Sequence, residues 1–218
     1  MVDVERAQNL LRVLTEITDH PLYDDSPRIG LSAILANTTL EFGNSTRTLC
    51  SENQLLGATV CLRSQFESFV RSVWIAHCAT DAQIERLNIN QLTLETIQGA
   101  KNIPLANDMI SDMQRAPNLA NLMVAINEFK DSAWRSLNSF VHSGLHAVIH
   151  TKFGWPDHLI DQTFRISNGI CLSAFTHLGI LTGIPGIQSE IYRAAASFSR
   201  VLPAYRTDTQ QFDPTAIE

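Results

Sequence analysis

Three side chains suited to phosphate chemistry recur in the segment NEFKDSAWRSLNSFVHSGLHAVIH, residues 127–150. Arg135, Asn138 and His142 stand at i, i+3 and i+7. On an α-helix, seven steps return His142 to within about 20° of Arg135, so the three form one stripe. A guanidinium stays charged and pairs its planar fork with two phosphate oxygens. An imidazole titrates near neutrality and transfers protons. Such groups suit metal-independent cleavage of RNA. The histidine takes the proton of a 2′-hydroxyl, the alkoxide attacks the adjacent phosphodiester, and the arginine holds the charge. Asn138 would orient the imidazole or bind a phosphate oxygen, with Asp131, one turn before Arg135, in support. The same residues fit a buried network equally well, with Arg135 paired to Asp131 or Glu67 and His142 bonded to a neighbouring helix. Seven residues of helix span about 10.5 Å, so one copy does not bring Arg135 and His142 to one atom. A symmetric dimer with this face on its two-fold axis would do so.

If the helix runs on through Gly144, His146 and His150 extend the stripe at i+4 spacing. From His142 to His150 is about 12 Å, too far for one ion. Two adjacent histidines would need a further ligand such as Asp131, Glu67 or His77. The simpler reading of His146 and His150 is as surface or cap residues near a helix end, where positive charge is tolerated. No metal and no cofactor is expected. His77, His158 and His177 have no partner identifiable from sequence and read as structural. The chain has no GxxxxGK[ST] loop, GxGxxG turn, HExxH or GxSxG, so nucleotide hydrolysis and the common metallopeptidase chemistries lack support.

The elements that must position the stripe follow from hydrophobic spacing. A first helix is expected over 3–19, with Leu10, Leu11, Leu14 and Ile17 on one side. Ser26 and Pro27 form a cap and first position for a second helix over 28–41, or on to 50 across Gly43 and Asn44. The third helix, 54–79, has a wide apolar face and carries Arg63, Glu67 and Arg71 as an Arg–Glu–Arg ladder. Thr80 and Gln83 make a capping box for a short helix over 81–89. Residues 90–103 are expected to be a mobile or ligand-facing connection, followed by a helix over 104–115. Asn118 is expected to cap the central helix, which turns Leu122, Ile126, Phe129, Ala133, Leu137, Phe140 and Val141 to the core. Gly144 would end it in a left-handed cap. Residues 151–159 read as a turn, 157–183 and 187–202 as helices, and 204–218 as a flexible tail. The expected architecture is all-α, a bundle of five or six main helices in one domain over 1–203.

Composition narrows the function classes. A formal net charge of −6 argues against a broad nucleic-acid-binding surface but not against a small local phosphate site. Cys50, Cys61, Cys78 and Cys171 show no CxxC pairing and read as reduced residues of a cytoplasmic protein. The start lacks the basic-then-apolar layout of a signal peptide. Residues 166–189 contain no Asp, Glu, Lys or Arg. Their polar punctuation favours a buried core helix over a membrane span.

The segments WRSLNSFVHSG, 134–144, and RSQFESFVRSVW, 63–74, resemble those of the HEPN superfamily, in particular a bacterial branch with an R…E…W helix ahead of an N…H helix. The resemblance covers about residues 30–180. It implies a helical domain that works as a homodimer. It also implies a metal-independent ribonuclease of toxin or phage-defence type, with RNA as substrate and an antitoxin protein as partner. By that resemblance His142 is the base or acid and Arg135 the phosphate clamp. Asn138 orients, and Glu67 and Arg71 on the earlier helix support the motif. The position after the arginine is commonly Asn, Asp or His in active members and is Ser136 here. Many relatives are noncatalytic, so a helical dimerisation or partner-binding protein is the alternative. A metal- or small-ligand-binding bundle using His142, His146 and Glu67 is a third.

Overall fold

The computed structural model describes residues 2–88, 98 and 103–204. Among them are nine α-helices and no strand. They are α1 (Val4–Thr18), α2 (Pro27–Ser51), α3 (Leu55–His77), α4 (Asp81–Leu87), α5 (Ala106–Met113), α6 (Ala120–Val141), α7 (Leu145–Phe153), α8 (Asp157–Leu181) and α9 (Ile187–Ala196). Five of these are long, which is the all-α bundle that the spacing of apolar residues predicts. The connection expected over 90–103 falls almost wholly outside the described residues, as does the tail beyond Ala204.

The helix starts follow from local chemistry. Ser26 is extended (φ −64°, ψ 145°) and its side chain accepts from the Ile29 N–H, with Pro27 as the first helical residue. Thr80 and Gln83 form the reciprocal capping box of α4. The central helix starts differently from the expectation. Pro117–Leu119 is a 3₁₀ turn, and Leu119 precedes α6 with no side-chain cap. Asn118 instead points its amide at His77 Nδ1, 3.3 Å away.

The heart of the bundle is α2, α3 and α8. The α2–α3 pair is antiparallel: Ser32 meets Ser72 near one end and Leu49 lies over Gly57 near the other. Gly43 does not interrupt α2, because its role is steric. A Cβ there would meet Cys171 Sγ, Gln65 Nε2 at 2.7 Å and Arg47 Nη1 at 3.3 Å. The glycine lets three helices approach, and tertiary packing offsets its poor helix propensity, about 1 kcal/mol relative to alanine. A polar seam runs through this contact. Gln65 Nε2 donates to the Ser167 carbonyl (3.0 Å) and to Cys171 Sγ (3.2 Å), and Ser167 Oγ donates back to Gln65 Oε1 (2.8 Å). Farther along, Ser32 Oγ donates to the Ser72 carbonyl (2.9 Å) and lies 2.8 Å from His177 Nε2. His177 is 3% exposed. The hydroxyl hydrogen is committed to Ser72, so the imidazole donates to Ser32 Oγ. Burial is the chief cause that pushes His177 down to about 3, with the charge of His77 adding to it.

Two groups of buried apolar side chains flank the seam. One joins α3, α4, α5, α6 and parts of α7 and α8 around Phe66, Trp74 and Phe140. The other joins α1, α2, α9 and the opposite side of α8 around Leu10, Leu14 and Phe164. Residues 166–181 are thus core helix, and no helix among the described residues is long and apolar enough to cross a membrane. The four cysteines are free thiols: Cys50 and Cys171 are buried and Cys61 and Cys78 partly so.

Candidate functional site

The antiparallel pair α3–α6 places the candidate residues. Its apolar contact is aromatic: Phe66 stacks on Phe129 at 4.2 Å and meets Trp134 edge-on at 5.6 Å. One turn farther along α3, the Arg63 guanidinium lies 3.3 Å over the Trp134 ring. Its Nε and Nη2 donate to Glu67 Oε1 at 2.8 and 2.6 Å, and its Nη1 donates to Asn138 Oδ1. Cation–π attraction, a charge-assisted pair and an amide acceptor therefore converge on one half-buried arginine.

This network sorts the expected site residues into two sets. Asn138 and Glu67 belong to the α3–α6 interface and are held by Arg63. Arg135 and His142, about 40–60° farther round the helix than Asn138, are exposed. The expected pairing of Arg135 with Asp131 or Glu67 does not form: among the described residues Arg135 enters no ion pair, and Asp131 is exposed and likewise unpaired. The Arg–Glu–Arg ladder is half made. Glu67 pairs with Arg63, while Arg71 is half-buried with its Nε enclosed and unpartnered. Ser136, next to Arg135, is buried. The shared stripe is real as helix geometry, but its middle member is turned to protein and its ends to solvent.

His142 closes α6 as its C-terminal cap residue (φ −98°, ψ 17°). Ser143 takes the left-handed conformation (φ 52°), where Gly144 had been expected to. The Ser143 N–H donates to the Phe140 carbonyl at 3.2 Å and the Gly144 N–H to the Ser139 carbonyl at 2.6 Å. That is the Schellman pattern, and α2 ends in the same way through Asn53 (φ 56°). Gly144 is required for proximity, since a Cβ on it would sit 2.7 Å from Ser139 Oγ. Ser139 Oγ accepts from the His146 N–H at 3.1 Å, which joins the end of α6 to the start of α7.

The chain then turns into a separate helix, α7, within what the sequence suggests is a continuing stripe and then a turn. His146 and His150 therefore do not extend the Arg135–His142 line. His150 is buried, stacked on Trp155 at 4.5 Å, and His146 is half-buried against Phe140. Burial lowers the His146 pKa, and the neighbouring His150 charge lowers it further. Val141, expected in the core, is 39% exposed at the end of α6. Together with Leu145 and Val148 on α7 it forms an exposed apolar border beside His142. The combination of His142, His146 and Glu67 does not assemble. Among the described residues no group of three or more His, Cys, Asp or Glu side chains could hold a metal ion. His77 approaches Asn118, His177 lies in the polar seam, and His158 is exposed.

Arg63 is the residue that sequence spacing undervalues. It appears as one rung of a ladder, yet it ties α3 to α6 and decides which way Asn138 faces. Trp134, four residues before Asn138, was the available signal: it puts an aromatic ring and an amide on one face, where a guanidinium can meet both.

A helical protein with an exposed arginine and histidine on one edge of its central helix is the class that fold and site define. The chain belongs to a family of unknown function, DUF6988, whose model matches residues 36–204 and so includes every residue of this edge. No curated protein and no solved structure matches it.

Proposed function

We propose that the outer edge of α6 is one half of a site for an RNA phosphodiester, completed when two copies of the chain pair, and that it cleaves RNA without a metal. The observation that carries this reading is the state of Arg135 and His142. Both are exposed and their side chains engage no protein group among the described residues, although they stand on a helix that Arg63 ties to α3. Such placement keeps a phosphate clamp and a proton-transfer group available. The proposed step is proton removal from the 2′-hydroxyl by His142. The alkoxide then forms a bond to phosphorus as the bond to the 5′-oxygen breaks, and the leaving oxygen takes a proton. Arg135 stabilises the charge on the non-bridging oxygens. Asn138 Oδ1 is occupied by Arg63, so Asn138 contributes through its amide N–H or as a spacer. Glu67 and Arg71 act behind it, and Asp131 lies on the exposed approach. The separation along the helix is why a homodimer is part of the proposal: the clamp of one copy serves the base of the other.

The exposed border of Val141, Leu145 and Val148 favours a second reading, in which the same face binds a second copy or another protein without catalysis. As a cytoplasmic toxin of HEPN type, the protein would meet its antitoxin there. The deciding experiment is cleavage of mixed cellular RNA in EDTA by the wild type, Arg135→Ala and His142→Ala, with circular dichroism and sizing of all three. Cleavage by the wild type alone supports the catalytic reading. Equal behaviour of the three proteins overturns it and leaves the binding face.

A further inference from the structure

We propose that copies of this chain associate head to tail, the outer face of α7 on one copy docking against the apolar surface around Tyr23 on the next. This deepens the binding reading of the α7 border by giving it a specific partner surface, and it leaves the α6 edge out of the contact. α7 is peripheral and packs mainly on α6. Its polarity is inverted relative to an ordinary surface helix, which turns its apolar side chains inward. His150 and Ala147 are buried, whereas Leu145 (68% exposed), Val148 and Phe153 face solvent. Leu145, Val148 and Lys152 lie within about 60° of one another round the helix. The Lys152 Nζ stands 5.0 Å from the Phe153 ring. No Asp or Glu occurs from Ser132 to Pro156, so the charge beside this apolar face is positive.

The other face is built where the loop before α2 meets the end of α8. The Tyr23 N–H donates to the Leu181 carbonyl at 2.8 Å, which ties the loop down. Gly183 follows α8 with φ +71°, and a Cβ on it would lie 2.7 Å from the Tyr23 ring. The ring is therefore seated on the turn, yet Tyr23 is 74% exposed. Leu22, Ile180 and Ile184 are exposed beside it. Asp19, Asp24 and Asp25 rim this surface, all three exposed. Arg28 is committed to the Ile75 and Ala79 carbonyls and to Asp81. No Lys or Arg occurs from Ile166 to Tyr192. The molecule thus shows two uncovered apolar faces of opposite charge, and uncovered apolar faces mark interaction surfaces. Like charge disfavours the contact of either face with its own copy, and opposite charge favours their contact with each other. A seated, exposed tyrosine is the type of anchor that dominates interfaces. Because the two faces differ, the contact is heterologous, and every added copy leaves one of each face open.

The test is sedimentation velocity of the full chain over a range of concentrations, with circular dichroism to confirm folding. One variant loses the tyrosine face, Tyr23→Ser. The other loses the α7 face, Leu145→Ser with Val148→Ser. All three positions are exposed, so the substitutions spare the core. The wild type should grow beyond either variant as concentration rises, and added salt should weaken that growth. Each variant alone should associate at least about tenfold more weakly. An equimolar mixture of the two should form one-to-one pairs, because each retains the face that the other lacks. Those pairs cannot extend, since the faces left at their ends are the substituted ones. Pairing through the α6 edge, where RNA cleavage is proposed, is common to every sample and cancels in the comparison. Failure of the catalytic reading therefore leaves this result untouched. A wild type no heavier than the variants, or a mixture no heavier than either variant alone, overturns the proposal.

Discussion

His177 offers the sharpest test of the buried polar seam, because its charge state links stability to pH. The ring is enclosed between α2, α3 and α8, donates to Ser32 Oγ, and is pushed down to about 3, first by burial and then by His77. In the unfolded chain it titrates near 6.5. A histidine with a depressed folded pKa takes up its proton preferentially in the unfolded state. Its contribution to stability is therefore complete above about pH 6.5 and declines as pH falls from there toward 3. Each unit inside that window costs about 1.4 kcal/mol, so lowering the pH from 7 to 5 removes roughly 2 kcal/mol. For a chain of this size that corresponds to about 4–8 °C in unfolding temperature. The assay is urea unfolding of the wild type and His177→Gln at pH 7, 6 and 5, followed by circular dichroism. Glutamine keeps a donor near Ser32 Oγ but cannot titrate, so the variant starts less stable and loses about 2 kcal/mol less than the wild type on acidification. Carboxylates and His77 titrate in both proteins and cancel in the difference. Equal losses in the two proteins would refute the assignment of His177 as a neutral, enclosed donor.

The α3–α6 interface and the end of α6 give two further predictions. Arg63→Leu uncovers the Trp134 face and leaves Asn138 Oδ1 without its donor, so denaturant unfolding should show a loss of about 2–3 kcal/mol. A change below about 0.5 kcal/mol would reduce the network to an ordinary surface ion pair. Ser143→Gly removes the strain of a left-handed non-glycine residue and should raise stability by about 0.5–1 kcal/mol, whereas Gly144→Ala should lower it by forcing Cβ onto Ser139. The opposite order in thermal unfolding would mean that Gly144 carries the positive φ in solution.

The helices were legible because burial imposes its period on the sequence, and the starts of α2 and α4 because capping needs particular side chains at particular positions. Gly43 shows where such reading ends. Local propensity makes it a weak point of α2, but its meaning depends on Cys171 and Gln65, residues distant in sequence that only the folded chain brings to it. The end of α6 shows a finer limit. A glycine beside a histidine correctly signalled a helix stop, yet the backbone used Ser143 for the positive φ and kept Gly144 for clearance. The resulting one-residue shift started α7 in a new direction and separated His146 and His150 from His142.

The same dependence on tertiary partners decides how the stripe is to be understood. Periodicity places Arg135, Asn138 and His142 near one helical azimuth, and a core network and a phosphate site are then indistinguishable. What separates them is a residue on another helix. Arg63 takes Asn138 and Glu67 into the interface, so the two groups that remain exposed are the guanidinium and the imidazole. A purely structural stripe would have its charged end members satisfied first, since an unpaired buried charge costs more than an unpaired amide. Here the amide is satisfied and the charge is left in water, at the edge where the chain also leaves Val141, Leu145 and Val148 uncovered. That distribution is consistent with the proposed surface for an anionic ligand and a second copy. Both readings allow a second copy on this face, so RNA cleavage by the wild type, and not its state of association, is the quantity that separates the catalytic reading from the binding one.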